Sequence, residues 1–175
     1  MAPRGMRSRP MLDRVRTALF DVLGPLEGAR VLDLFAGTGS LGLEALSRGA
    51  ASCLFVETSA PALGALRTNL EHLRLAERAR AVRSDALAFA LSPPETGERF
   101  DLVFFDPPYA MLRGSGRPRT LEALARCRAR LLAPGGRLVL HAARNLLAAE
   151  EVALVGPADE RTWGTSAVFL FEAAT

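Results

Sequence analysis

Apolar residues recur along this chain in two alternating rhythms. In residues 11–23, Leu12, Val15, Leu19, Phe20 and Leu23 fall at helical spacing, which predicts an amphipathic helix stopped by Gly24-Pro25. Residues 30–35 then form, after Arg30, a short apolar run interrupted only by Asp33, the pattern of a strand buried on both faces. A glycine loop follows, then a helix over 41–48 closed by Gly49. The alternation continues with a strand over 53–56 ending at Glu57. Next comes a helix capped by Thr58 or Ser59, with Pro61 in its first turn and Leu63, Leu66, Leu70 and Leu73 as its buried stripe. A third strand is expected over 80–83, a helix over 86–91, a turn-rich connection over 92–97 and a fourth strand over 102–105. Helix 121–132 leads through Pro134-Gly135-Gly136 into a fifth strand over 137–140. Apolar runs at 152–155 and 167–171 predict a closing hairpin around Gly164.

Strands alternating with helices at these lengths imply an α/β fold, a parallel sheet with right-handed crossovers. At 175 residues the chain is one domain over 1–175, with 1–9 flexible and 10–24 forming a helix that packs on the rest. No apolar run approaches the ~20 residues of a membrane helix. The first residues lack the apolar core of a secretory signal. Cys53 and Cys127 lack metal-ligand spacing, so no metal is expected, and a cytoplasmic location follows as the default.

A formal charge of +3 does not by itself announce a nucleic-acid partner. The distribution is more telling. All 22 basic residues are arginine; Arg4, Arg7, Arg9, Arg14 and Arg16 crowd the N-terminus, and Arg113, Arg117 and Arg119 share one Gly/Pro-containing loop. Guanidinium forks match phosphate geometry, so these clusters are candidate contacts to a nucleic-acid backbone. The plainer reading is that they are solvated surface charge in a chain that uses arginine for lysine.

The chemistry concentrates at strand ends. Gly37-Thr38-Gly39-Ser40-Leu41-Gly42 matches G-x-G-x-x-G between a strand and a helix, and Glu57 closes the next strand, where a carboxylate can accept from both hydroxyls of a ribose. A dinucleotide oxidoreductase fits this much equally well. Asp33 separates the readings: an acid beside the loop disfavours a pyrophosphate but favours the amino group and sulfonium of S-adenosylmethionine. Asp85, at the end of the third strand, can accept from an adenine amine. Helix capping or turn formation is the plainer explanation for Asp33 and Asp85.

The fourth strand ends in Asp106-Pro107-Pro108-Tyr109. A planar exocyclic amine is a poor nucleophile because its lone pair is delocalised. Asp106 can accept one of its N–H groups, the two prolines hold the chain extended with the Pro107 carbonyl as a second acceptor, and the Tyr109 ring can stack on a flat base. This tetrapeptide points to a methyltransferase acting on an amine, and a dehydrogenase has no evident use for it.

Three stretches together, Leu32-Asp33-Leu34-Phe35-Ala36-Gly37-Thr38-Gly39, Leu43-Glu44-Ala45-Leu46-Ser47-Arg48-Gly49-Ala50 and Phe100-Asp101-Leu102-Val103-Phe104-Phe105 with the tetrapeptide, closely resemble the bacterial small-subunit (16S) rRNA guanine-N2 methyltransferases of the RsmD type. The opening Arg9-Pro10-Met11-Leu12-Asp13-Arg14-Val15-Arg16 resembles them too. The likeness runs from Arg9 to Phe171. It implies a Rossmann-like class I methyltransferase fold with a seven-stranded, mostly parallel sheet and a C-terminal antiparallel hairpin. It also implies S-adenosylmethionine held by Asp33, Phe35, Gly37, Gly39, Glu57, Asp85, Ala86 and Asp106, and a guanine of 16S rRNA or of an assembling small subunit held at Asp106–Tyr109 by a monomer. DNA adenine-N6 and cytosine-N4 methyltransferases share the tetrapeptide and remain the alternative. The chain departs from the family's habit in having only eight residues before Arg9, Met11-Leu12 after Arg-Pro, and Leu140-His141 where a Glu-His pair is usual. A histidine at a strand end is ordinarily structural.

Overall fold

The computed structural model describes residues 13–93 and 97–173. The elements in chain order are α1 (Asp13–Leu23), β1 (Arg30–Leu34), α2 (Ser40–Ser47), β2 (Ser52–Glu57), α3 (Ala60–His72), β3 (Ala79–Arg83), α4 (Ala86–Leu91), β4 (Phe100–Phe105), α5 (Arg117–Leu131), β5 (Leu132–Ala143), α6 (Ala149–Val155), β6 (Ala158–Trp163) and β7 (Ser166–Glu172). The strands form one sheet in the order β3-β2-β1-β4-β5-β7-β6. The first five are parallel; β7 runs antiparallel to β5 and to β6, so the closing hairpin is as expected, with its turn at Gly164.

Each central strand buries alternate side chains in opposite layers, which is why the strands read as unbroken apolar runs. Leu32, Leu34, Leu54, Val56, Val103, Phe105, Leu138 and Leu140 pack with α4 and α5 on one face. Val31, Phe55, Leu102, Phe104 and Val139 pack with α1, α2 and α3 on the other. The first helix is bolted there by Val15, Leu19 and Phe20, all fully buried. Its last turn is held by Arg137, which donates to the Leu23 carbonyl at 2.7 Å. Leu12 and Arg9 lie outside the described residues.

Two expectations fail. Residues 152–155 belong to helix α6, not to a strand, and the strand of that region is β6. The Glu151 carboxylate accepts the Ala148 amide at 2.9 Å, satisfying an orphan donor at the start of α6, and two acids in the first turn suit the helix dipole. Leu73 is 56% exposed because α3 ends at His72, so the buried stripe stops at Leu70. The fifth strand is also longer than its apolar core: Pro134-Gly135-Gly136 forms an irregularity inside β5, between the pairs Phe100 with Leu132 and Leu102 with Arg137.

The third glycine of the loop motif belongs to the fold. A Cβ on Gly42 would run into the Phe55 ring and the Cys53 sulfur, so α2 sits close on β2 only because this position has no side chain. Gly42→Ala is expected to lower stability by about 1–3 kcal/mol, the range for overpacking a filled core. Urea unfolding followed by circular dichroism measures it; an unchanged midpoint would show that the helix has room to move.

Candidate active site

The parallel register fixes what meets at the carboxyl edge. Leu34 pairs with Val56 and with Phe105, and Phe105 pairs with Leu140. One residue further on, Glu57, Phe35, Asp106 and His141 therefore stand in a single row across β2, β1, β4 and β5. Ligands of open α/β sheets bind at this edge, where the crossovers part to opposite faces.

The chain leaves β1 in a left-handed turn. Phe35 has φ 63°, Gly37 56° and Gly39 89°. A phenylalanine in that region is strained, and its ring is held edge-on against Phe105 with centroids 5.2 Å apart. Gly37 donates its amide to Glu57 at 2.8 Å, and Ser59 donates to the other carboxylate oxygen at 2.7 Å. Both oxygens of Glu57 are thus aimed by backbone. A Cβ on Gly37 would meet nothing within 4 Å, so this glycine borders open space, whereas a Cβ on Gly39 would strike Leu66. Space for a ligand's approach thus adjoins Gly37, while Gly39 packs against α3.

Asp33 is 1% exposed and accepts the Gly42 amide at 2.9 Å. It supplies the N-terminal cap of α2 that Gly39, having no side chain, cannot. Burial pushes its carboxyl up to about 7 against the opposing pull of the Gly42 amide, with Asp106 and Glu57 adding negative charge nearby. Asp85 likewise caps α4, accepting from Ala88 at 2.7 Å, and remains exposed; Ala86 behind it is buried. Both capping readings therefore hold; Asp85 keeps its carboxylate exposed at the edge, whereas the Asp33 carboxyl is buried beneath the loop. The end of β3 is tied to β2 by the Ser84 amide, which donates to the Glu57 carbonyl at 3.2 Å.

In the tetrapeptide Pro107 is buried, Pro108 is exposed with φ −50° and ψ 132°, and Tyr109 is half-buried. The Pro108 carbonyl accepts from Met111 at 2.8 Å, starting the short 3-10 turn Tyr109–Leu112. Thr120, itself buried, braces that turn by donating to the Met111 and Gly116 carbonyls. Asp106 keeps 24% side-chain exposure, and its Oδ1 lies 2.8 Å from Nδ1 of His141. The Tyr109 hydroxyl lies 3.3 Å from Nε2 of the same ring. His141 was legible as a strand-end residue, but its partner stands 35 positions earlier.

The arginines separate: Arg113 alone of the expected trio lies in the loop, because α5 begins at Arg117 with Pro118 in its first turn and takes in Arg119. The Arg117 guanidinium is committed to the protein, bonding the Leu112 and Leu146 carbonyls and pairing with Glu151 at 3.0 Å. Arg16 pairs with Asp13. Arg14, Arg113 and Arg119 are exposed and make no side-chain ion pair or hydrogen bond among the described residues. Arg14 lies against the β6–β7 turn, 3.0 Å from where a Cβ on Gly164 would stand. Arg144, just past β5, is exposed in the same way, as are Arg67, Arg74 and Arg130 elsewhere on the surface; alone in the chain, Arg144 carries no cluster signal in the sequence.

The family described as Conserved hypothetical protein 95 matches residues 1–172. The chain belongs to this family. Among its relatives, "Ribosomal RNA small subunit methyltransferase D" of Escherichia coli K12 is 44% identical over 102 residues, 58% of this chain and 50% of that protein. The protein of the same name from Haemophilus influenzae is 42% identical over 103 residues, 58% of this chain and 53% of that one. The resemblance to the RsmD type drawn from the motifs is thereby borne out, although the chain spans about half the length of the curated relatives it matches. The solved structure of a hypothetical protein of Thermus thermophilus superposes with a TM-score of 0.77 at 32% identity, covering 98% of this chain and 91% of that one. A SAM-dependent methyltransferase of Agrobacterium tumefaciens shares the fold, with a TM-score of 0.64 at 23% identity, over 91% of this chain and 59% of its own.

The buried carboxyl of Asp33 gives the ligand-free protein a pH signature. Its proton is held more tightly in the folded chain than in the unfolded one, so it stabilises the fold fully below the ordinary carboxylate range, and that contribution is lost as pH rises toward about 7. Asp33→Asn cannot ionise and keeps an acceptor for Gly42. Its stability relative to the parent is expected to improve by on the order of 1 kcal/mol per pH unit between about pH 5 and pH 7. Thermal unfolding at several pH values measures this, and a constant difference would refute the assignment.

Proposed function

We propose that this protein transfers a methyl group from S-adenosylmethionine to the exocyclic N2 amine of a guanine in small-subunit (16S) rRNA, acting as a monomer in the cytoplasm on naked rRNA or an assembling subunit. The observation that carries the reading is the arrangement at the carboxyl edge: the parallel register sets Glu57 and Asp106 at one level on either side of Phe35, so the backbone-aimed Glu57 carboxylate and the tetrapeptide acceptor bring negative charge to the edge where Gly37 borders open space. Such a space repels the pyrophosphate of a dinucleotide and favours a cationic ligand.

The residues present fit S-adenosylmethionine. Glu57, aimed by Gly37 and Ser59, is the ribose acceptor; Asp85 keeps an exposed carboxylate for the adenine amine; Asp33, buried beneath the loop, supplies negative charge for the amino group once it ionises; and open space at Gly37 admits the ligand to the backbone. When bound, S-adenosylmethionine supplies a methyl carbon activated by its sulfonium. The protein's own task is then alignment and charge. Asp106 accepts an N–H of the guanine amine, which returns the nitrogen lone pair toward attack and stabilises the positive charge that develops there, while Tyr109 stacks on the base. No strong base is required. Arg14, Arg113, Arg119 and Arg144 surround this edge as phosphate contacts, with Arg9 as a further one from the front segment; Arg117, at the start of α5, braces the loop that carries Arg113. The name of the Escherichia coli and Haemophilus influenzae relatives supports the rRNA substrate. No helix among the described residues is long and apolar enough to cross a membrane.

Labelled S-adenosylmethionine offered with undermethylated small subunits, naked rRNA and DNA, followed by mass spectrometry of the nucleosides, tests the reading. N2-methylguanosine from rRNA is expected; label in DNA alone would overturn it. Asp106→Ala is expected to lower kcat by about 100-fold or more while leaving cofactor affinity within about threefold, because the lost acceptor acts on developing charge. Turnover near the parent level would refute the role given to Asp106.

A further inference from the structure

We infer that His141 is a positioning residue for the transfer: it clamps Asp106 and Tyr109 to one imidazole, so that the acceptor oxygen and the stacking ring face the substrate in fixed relation. The inference rests on the proposed role of Asp106 as acceptor.

The clamp follows from register. Because Phe105 pairs with Leu140, the next residues of β4 and β5 are brought side by side, and the imidazole faces the carboxylate at 2.8 Å. His141 is 2% exposed, so its ring nitrogens must find partners inside the protein. For the neutral ring, one proton arrangement satisfies every group. Nδ1–H donates to Oδ1 of Asp106, and Nε2 accepts from the Tyr109 hydroxyl. The opposite tautomer would set a bare lone pair against a carboxylate.

The consequence for Asp106 is asymmetric. Oδ1 is taken by His141, and Oδ2 is left as the oxygen that receives the substrate N–H. A carboxylate free to rotate would present two oxygens over a range of angles, and misplacement of a reacting group is costly to an in-line transfer. The same ring fixes Tyr109, whose ring stands 5.7 Å from the imidazole at 60°. His141 does not itself reach the substrate, since both nitrogens are occupied and the ring is covered. It acts through the two residues it holds.

Two measurements test this, the first without substrate. In 15N-labelled protein the chain's two histidines, His72 and His141, are separated by a His72→Gln variant, and the His141 ring is expected in the Nδ1–H tautomer near neutral pH. An Nε2–H tautomer would overturn the inference whatever the enzyme's substrate proves to be. The second is kinetic. His141→Asn keeps an amide donor near the Nδ1 position and loses the Tyr109 arm; His141→Gln reaches toward Nε2 and loses the Asp106 arm; His141→Leu loses both.

At saturating substrates His141→Leu is expected to lose about 30-fold or more in kcat with the cofactor KM changed less than about twofold, and His141→Asn to recover about tenfold of that loss. Equal impairment of Asn and Leu, or kcat within about threefold of the parent for a folded Leu variant, would refute the clamp. If the Leu variant does not fold, the order of the amides decides: Asn faster than Gln supports the clamp, and the reverse overturns it. A parent enzyme that methylates no RNA defeats the functional proposal alone, because the tautomer is read without RNA.

Discussion

The hydrogen bond from the Gly42 amide to Asp33 is the constraint around which this edge of the molecule is arranged. A carboxylate inside an apolar layer is costly, and α2 begins at a glycine that cannot cap it. Each problem answers the other. The buried acid finds a donor, the helix finds an acceptor, and the loop between them is stretched over the residues 34–39 that turn through three positive φ angles. The loop's shape is thus set from below, by a bond within the core, and its upper surface is left open for a ligand.

The second organising fact is that Glu57, Phe35, Asp106 and His141 lie at one level across four adjacent strands, Phe35 and Asp106 just past the ends of β1 and β4, Glu57 and His141 still paired with Arg83 and Val168. A row built this way inherits the spacing of a β-sheet, roughly 4.8 Å between neighbouring strands. Such spacing brings carboxylates close enough to feel one another, as Asp33, Glu57 and Asp106 do. It also lets a histidine on β5 reach an aspartate on β4 without any special loop. The precision comes from the rigid sheet; only the prolines and the 3-10 turn after Asp106 depart from it.

This division explains what the sequence made legible. The five parallel strands, the glycine turn and the acid at each strand end could be read because each is a local pattern: an apolar run, then Gly, Glu or Asp. Residues 152–155 could not, since four apolar positions fit a strand as well as one turn of helix, and only Glu150 and Glu151 ahead of them favoured the helix. His141 looked structural because nothing in its neighbourhood named Asp106. Arg117 looked like its loop companions for the same reason; its partner Glu151 is 34 residues away. Readings fail where a side chain's meaning is assigned by a distant strand or helix.

The arginines draw a last distinction. Arg78, Arg83, Arg99, Arg126, Arg128 and Arg137 each aim a guanidinium at main-chain carbonyls where elements end, as Arg117 does. They are staples of the framework, and a lysine, with a single nitrogen on a supple stem, would hold such carbonyls less firmly. Much of the basic complement therefore has its guanidinium orientation fixed by the framework, although the charge itself remains. An anionic partner approaching this protein meets cations of two kinds, those held in place by the main chain and those, such as Arg14, Arg113, Arg119 and Arg144, whose forks are free to turn toward a phosphate.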